Sequence, residues 1–453
     1  MDQFTSIIKT ASSILWDDFL LVLLLCVGIY FTFRLRFVQV TKFKTSFRKV
    51  FGGIKLRGNK AGKEGMSSFQ ALATAIAAQI GTGNIAGAAT AVVSGGPGAI
   101  FWMWVSAFFG MATIFAEATL AQRFKTVKDG AVTGGPVYYI KEAFKGKFGK
   151  VLAAVFAVFI IFALGFTGNM VQSNSISDAF GTAFGIPSWV MGLVLAVLAG
   201  IIFIGGIGRI ASFTEKVVPL MACLYIIGSL VVVGTNFQHI GQAFSSIFVG
   251  AFSPSAVLGG TAGITVKMAV RYGVARGLFS NEAGMGSTPH AHALAKVDHP
   301  CDQGIVAIMG VFLDTFIVLT LTALTLLTTG VISSGQTGSK LSQLAFSTVF
   351  QGFGPIFVAI CLFFFAFSTI IGWYFFGQAN IKYLFGQKAV KYYSAIVLVF
   401  IFVGALLKVD LVWTLSDLFN GLMVIPNLLA LVALSGLVSK LYKEYQKKGK
   451  KSE

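Results

Sequence analysis

Apolar residues in this chain gather in long uninterrupted runs, many of about 20 residues or more, the helix length that crosses a bilayer. The clearest case lies between Glu64 and Glu117, where no residue carries a charge. That stretch is long enough for two helices, and "GGPG" at Gly95–Gly98 divides them with a turn signal. Read the same way throughout, the pattern predicts eleven spans: 17–35, 67–93, 98–122, 151–177, 187–207, 213–235, 257–289, 303–331, 345–381, 392–408 and 411–438. The tenth is short, the ninth is long enough to tilt or kink, and the seventh is the least hydrophobic. The expected fold class is an all-α polytopic membrane protein.

Composition agrees. Of 453 residues, 56% are hydrophobic and only 11% charged, against about 25% charged in a soluble domain. The net charge of +18 would suit a nucleic-acid partner if it were spread over one surface. It is not. If all eleven spans cross, twenty-nine of the thirty-five Lys and Arg residues fall on one side, and only Lys9, Lys340 and Lys408 on the other. That asymmetry is the positive-inside rule, so the bilayer is the expected partner and nucleic acid is not. It places the N-terminus outside the cell and the C-terminus in the cytoplasm, in a multi-pass plasma-membrane protein. The four cysteines have no paired spacing, and residues 1–16 lack a cleavage site, so neither a metal framework nor a removed leader is expected.

Lys267, Arg271 and Arg276 remain, inside the seventh span. Treating that segment as a surface loop would reverse every later span and turn the Lys-rich tail outward. A segment that crosses with three cations must be shielded by the bundle or by a water-filled cavity.

Two spans carry interruptions. "AAQIGTGNIAG" (Ala77–Gly87) weakens the middle of the second span, and "YGVARGLFSNEAGMGS" (Tyr272–Ser287) the seventh. They lie five spans apart and so run in opposite directions, the pattern of a transporter built from inverted repeats with its site at the midplane. The expected organisation is an accessory helix and basic loop (1–63), two five-helix halves (64–236 and 237–438) and a basic tail (439–453). An interrupted helix frees N–H groups at a positive dipole end and carbonyls at a negative one. One break therefore suits both a carboxylate and a small hard cation.

"GGPGAIFWMWVSAFFG" (Gly95–Gly110), "AAQIGTGNIAG" and "RGLFSNEAGMGS" closely resemble the alanine or glycine:cation symporter family, and the resemblance covers nearly the whole chain. It implies the five-plus-five inverted-repeat fold of the bacterial leucine transporter, and import of alanine or glycine with sodium, or in some members with protons. On that reading Gly81, Thr82 and Gly83 present N–H groups to the substrate carboxylate. Gln79 bonds the substrate or braces the unwound turn. Gly277, Phe279 and Ser280 supply carbonyls and a wall, while Phe166 and Asn169, three apart on the fourth span, share a face towards it.

Similarity to the fold's usual sodium site implies the carbonyls of Ala77, Ile80 and Phe365 with the hydroxyls of Ser368 and Thr369. Ser and Thr hydroxyls in membrane helices more often bond back to their own helix. Trp373, one turn beyond Thr369, is expected to limit substrate size. Glu117 and Asp314 are lone acids inside spans and functional candidates by default; Arg276 and Glu282 are a possible gate pair. His290 and His292 read as a solvated helix end. A passive channel would want rings of charge or carbonyl filters, and an enzyme an activated nucleophile; neither is recognisable.

Overall fold

The computed structural model describes residues 2–52, 65–253, 264–407 and 409–449. The start of the predicted seventh span, Lys55 to Lys63, Lys408 and the end of the tail lie outside the described residues. The described chain is a helical bundle, and its two short strands, Thr126–Lys128 and Ala131–Thr133, form an antiparallel hairpin in the basic segment after the third span.

Among the described residues seven helical segments, counted across short 3-10 or π turns, are long and apolar enough to cross a membrane: Gly98–Arg123, Gly146–Phe184, Gly206–Thr235, Pro300–Thr328, Gly338–Phe385, Gln387–Leu406 and Val412–Ala433. Ser68–Gln79 and Gly83–Gly95 make an eighth if taken together, bent by 46° at the break. Leu21–Arg34 and Ser188–Ile204 match the predicted first and fifth spans but are shorter. Length and composition thus support an integral membrane protein without establishing eleven crossings.

Three boundaries differ from expectation. The ninth span is two helices, Gly338–Phe350 and Gly354–Phe385, because Gln351 adopts φ +51° and the chain turns there. In the seventh span, an unbroken helix Val266–Asn281 precedes a non-helical turn and a short helix, Pro289–Ala293. Between the sixth and seventh spans lies a helix the sequence pattern did not separate, Ile240–Phe252. The "GGPG" turn does occur where expected, with Gly96 at φ +73°.

Long helices bury mostly large apolar side chains, Trp373, Phe365, Phe376 and Tyr225 among the most enclosed. The middle of the bundle is nonetheless polar. Thr82, Asn84, Glu117, Glu282, Asp314, Ser368 and Thr369 are all fully buried. Polar groups in a membrane interior are retained where they find partners, and these gather around the two interrupted spans.

Candidate functional site

The second span starts with a capping box: the Ser67 hydroxyl accepts from Gln70 N–H, and Gln70 Oε1 from Ser67 N–H, both at 3.1 Å. Its helix ends at Gln79, and Ile80 departs to ψ 90°. After Gly81 and Thr82 the chain resumes as a π-helical turn, Gly83–Gly87. The N–H groups of Gly81 and Thr82 are taken up. Gly81 N–H donates to Asn84 Oδ1 at 3.0 Å and Thr82 N–H to Gln172 Oε1 at 3.0 Å, while the Thr82 hydroxyl donates to the same oxygen. Two side-chain amide oxygens therefore stand where a substrate carboxylate would meet the break. Contrary to expectation, these donors are not open.

The seventh span breaks later than its glycines suggest. Gly277 lies inside the intact helix, where an added Cβ would meet Ser106 Oγ on the third span at 3.1 Å. Its carbonyl is therefore not a loose acceptor. The helix ends with Glu282 in the left-handed region, and two N–H groups of the following turn, Gly284 and Gly286, donate to the Glu117 carboxylate at 3.0 and 2.9 Å. Asn427 Nδ2 donates to the same carboxylate at 2.6 Å. Glu117 thus replaces the hydrogen bonds that the turn loses.

The two breaks face each other. A Cβ on Gly83 would lie 3.1 Å from Ser280 Cα and 3.3 Å from the Phe279 ring. Asp314 joins them, accepting from Asn84 Nδ2 at 2.7 Å, Ser280 Oγ at 2.9 Å and Thr315 Oγ1 at 2.8 Å. Gln79 braces rather than lines the site: its Nε2 donates to the Asn281 carbonyl at 2.7 Å.

Beside the first break lie five oxygens. The Thr369 hydroxyl is 2.9 Å from Ala77 O, 3.0 Å from Phe365 O and 3.5 Å from Ile80 O. The Ser368 hydroxyl is 2.9 Å from Phe365 O and 3.3 Å from Ala77 O. Each hydroxyl has a carbonyl of its own helix and one of the break within reach, and its single hydrogen can serve either.

Aromatic rings close the cluster on one side. Phe279 meets Trp373 edge-on at 5.5 Å and Trp413 at 4.8 Å. Above Trp413, Arg276 lies 4.5 Å from its ring centre and forms a two-pronged pair with Asp417 at 2.7 and 2.9 Å. Arg276 and Glu282 therefore do not pair. Arg276, Trp413 and Asp417 form part of the lining of a vestibule of about 570 Å³, which also carries Lys9, Arg271 and Lys340. Two of the three cations of the seventh span thus border an open cavity.

Several expected residues sit elsewhere. The Phe166 ring stacks on Phe400 at 4.6 Å and packs against Phe162 and Tyr393, away from the break. The π-helical turn Ile161–Gly168 adds a residue to the register, so 166 and 169 no longer share a face. Asn169 Nδ2 donates back to Gly165 O at 3.1 Å. His290 and His292 are buried, not solvated: His290 stacks near Phe156 and Phe376 and meets Asn380 Nδ2 at 2.8 Å, and His292 meets Gln303 Nε2 at 2.9 Å. No group of three metal-ligating side chains occurs among the described residues. Gln172, Trp413 and Asp417 were not singled out from sequence, and Asn84 only as part of the interrupted stretch; the polar-rich segment Asn169 to Ser177 in an apolar span was the available signal for Gln172.

A family model described as the sodium:alanine symporter family matches residues 1–453. The chain is 43% identical to the sodium/alanine symporter AgcS of Methanococcus maripaludis, covering 98% of each. It is 40% identical to the amino-acid carrier protein AlsT of Bacillus subtilis, over 99% of this chain and 93% of that one. With the probable sodium/glutamine symporter GlnT of the same organism it shares 41%, over 98% and 91%. Among solved structures, MhsT in complex with L-phenylalanine superposes with a TM-score of 0.56 at 16% identity, covering 85% of this chain and 98% of that one. An Eremococcus coleocola manganese transporter gives 0.54 at 12%, over 78% and 74%. Both share the fold of a bundle with interrupted helices. With relatives that are carriers over almost their whole length, this chain is a membrane transporter rather than an enzyme, and it belongs to the sodium:alanine symporter family.

Proposed function

We propose that the protein imports alanine and glycine across the plasma membrane with sodium, by alternating access. The observation that carries this reading is the oxygen cluster beside the first break. Ala77 O, Ile80 O, Phe365 O, Ser368 Oγ and Thr369 Oγ1 converge from two helices, and none of the five is a carboxylate oxygen. Five neutral oxygens suit a monovalent cation that must later be released, better than a strongly hydrated divalent one. The hydroxyls need only turn their hydrogens outward to offer lone pairs.

The substrate carboxylate meets the same break. It displaces Asn84 Oδ1 or Gln172 Oε1 from Gly81 and Thr82 N–H, so ion and amino acid share one unwound turn. Phe279, Ser280 and Trp373 form the wall opposite, and two of the three are bulky aromatics, which favours a small side chain.

Alternating access fits the remaining geometry. With the N-terminus outside, the vestibule of Lys9 and Lys340 faces outward, and Arg276–Asp417 above Trp413 is its floor. Residues 64–236 and 237–438 are read as the two inverted halves that rock around the breaks. Sodium moving down 100 mV releases about 2.3 kcal/mol per charge. At about 1.4 kcal/mol per tenfold, one ion sustains roughly a fiftyfold substrate gradient.

Uptake of labelled alanine into liposomes containing the purified protein tests this. Saturable uptake that requires inward sodium and is competed by glycine is expected. Equal uptake with potassium in place of sodium, or uptake driven by a proton gradient alone, overturns sodium coupling; non-saturable flux overturns the carrier reading.

A further inference from the structure

Glu282 occupies the position after the helix Val266–Asn281 with φ +57° and ψ 12°. A left-handed residue at this point commonly ends a helix, and it is usually glycine, which adopts that conformation without strain. A glutamate there is strained, and its carboxylate is also fully buried. Both features are unfavourable unless the side chain has work to do. Its contacts say what the work is: Oε1 accepts from the indole Nε1 of Trp373 at 2.5 Å, and Oε2 accepts from the Ser287 hydroxyl.

We infer that Glu282 is a positioning residue for substrate selection, which fixes the indole of Trp373 against Phe279 and so sets the size of the amino-acid site. The inference rests on the proposed function, in which Trp373 walls that site. Held only by packing, an indole can rotate about χ1 and χ2; a buried hydrogen bond at its edge removes that freedom. The ring is also confined from the fourth span, where a Cβ on Gly168 would come within 2.6 Å of Trp373 Cζ3. Gly168 behind, Phe279 at the edge and Glu282 at Nε1 leave the indole one position. Ser287 in turn holds the second carboxylate oxygen, so Glu282 reaches Trp373 from a fixed point.

The test is equilibrium binding to the full-length protein with sodium present, measured as competition by alanine, 2-aminobutyrate and leucine against labelled alanine. Glu282→Gly relieves the strained backbone and removes the carboxylate. It is expected to keep alanine binding while improving competition by the larger amino acids, relative to alanine, by about tenfold, the lower end of the discrimination that one methylene gives. Glu282→Gln keeps an oxygen for Nε1 and should stay near the parent ratio. Trp373→Phe keeps a ring but loses the donor, and should broaden selection as Glu282→Gly does. In the double variant the two effects should not add, because they remove one interaction. An unchanged leucine-to-alanine ratio in Glu282→Gly overturns the inference, as does full additivity with Trp373→Phe. Should Glu282→Gly not assemble, Trp373→Phe decides alone: parent selectivity there overturns it. If the parent protein binds no alanine at all, the proposed function fails instead.

Discussion

Gly81 and Thr369 are in such close contact that a single added carbon on Gly81 would overlap the Thr369 hydroxyl. The same carbon would lie 3.1 Å from Gln172 Oε1, the oxygen that holds Thr82 N–H. One position therefore touches both the oxygen cluster and the donors of the break. Gly81→Ala is expected to weaken sodium and alanine binding together, each by more than about tenfold, since the added atom must displace a ligand of each. Calorimetric titration checks it; loss of one without the other would separate the two sites.

Thr369→Ala removes one oxygen from the cluster and leaves the Gly81 and Thr82 N–H groups in place. Apparent sodium affinity should fall about tenfold, the scale of one hydrogen-bond-strength interaction, with alanine affinity largely recovered at high sodium. By reciprocity, alanine should tighten sodium binding in the parent protein by the factor that sodium tightens alanine. Alanine binding that ignores sodium in both proteins would remove this cluster from the coupling.

Arg276→Ala removes both hydrogen bonds to Asp417 and the cation above Trp413. With the floor of the vestibule unlatched, bound alanine should dissociate faster, while the oxygen cluster stays intact. Asp417→Asn, which keeps shape but loses charge, should give a smaller change in the same direction. Stopped-flow dissociation with excess unlabelled alanine measures both, and an unchanged off-rate in Arg276→Ala would mean that the gate lies elsewhere.

Glu117→Leu leaves Gly284 N–H, Gly286 N–H and Asn427 Nδ2 short of their acceptor. Each buried donor left unpaired costs about 1–3 kcal/mol, so thermal unfolding in detergent should shift down by several degrees or the protein should fail to accumulate. A melting temperature equal to the parent's would show that water readily replaces the carboxylate.

The orientation has its own test. In a protein otherwise free of cysteine, a membrane-impermeant thiol reagent applied to intact cells should label Thr337→Cys, which is exposed beside the vestibule, and spare Lys447→Cys in the basic tail. The reverse pattern would invert the topology.

What the sequence disclosed followed from local chemistry. Glycines, a threonine and an asparagine in an apolar run marked the first break, and the resemblance named the five oxygens that come together beside it. The second break was mis-centred because Gly273 and Gly277 look like interruptions. Both instead let the helix pack closely on the third span, with Ala99 O 2.5 Å and Ser106 Oγ 3.1 Å from where a Cβ would be. The packing of Phe166 against Phe400 was harder to read, because a π-helical turn shifts the helical register and Gly165 and Gly168 within it do not by themselves announce one. Gln172 with Thr82, and Arg276 with Asp417, are pairings across 90 and 141 residues that no local pattern encodes.

The way Glu117 clasps the turn after Asn281 ties the interruption of one span into its neighbours. Residues 284–293 are welded to the third span by Glu117 and Gln122, and to the ninth by His290 with Asn380. Val266–Asn281 packs on that same third span at Gly273 and Gly277 and is held to the eleventh by Arg276 and Asp417, as the turn is by Asn427 to Gly284 O. Between them the chain leaves the helical path at Glu282 and turns again at Gly284 and Gly286, all three with positive φ. A turn pinned from three neighbouring spans at once is the stiff part of the interruption, so any rearrangement at this break has to carry those spans with it.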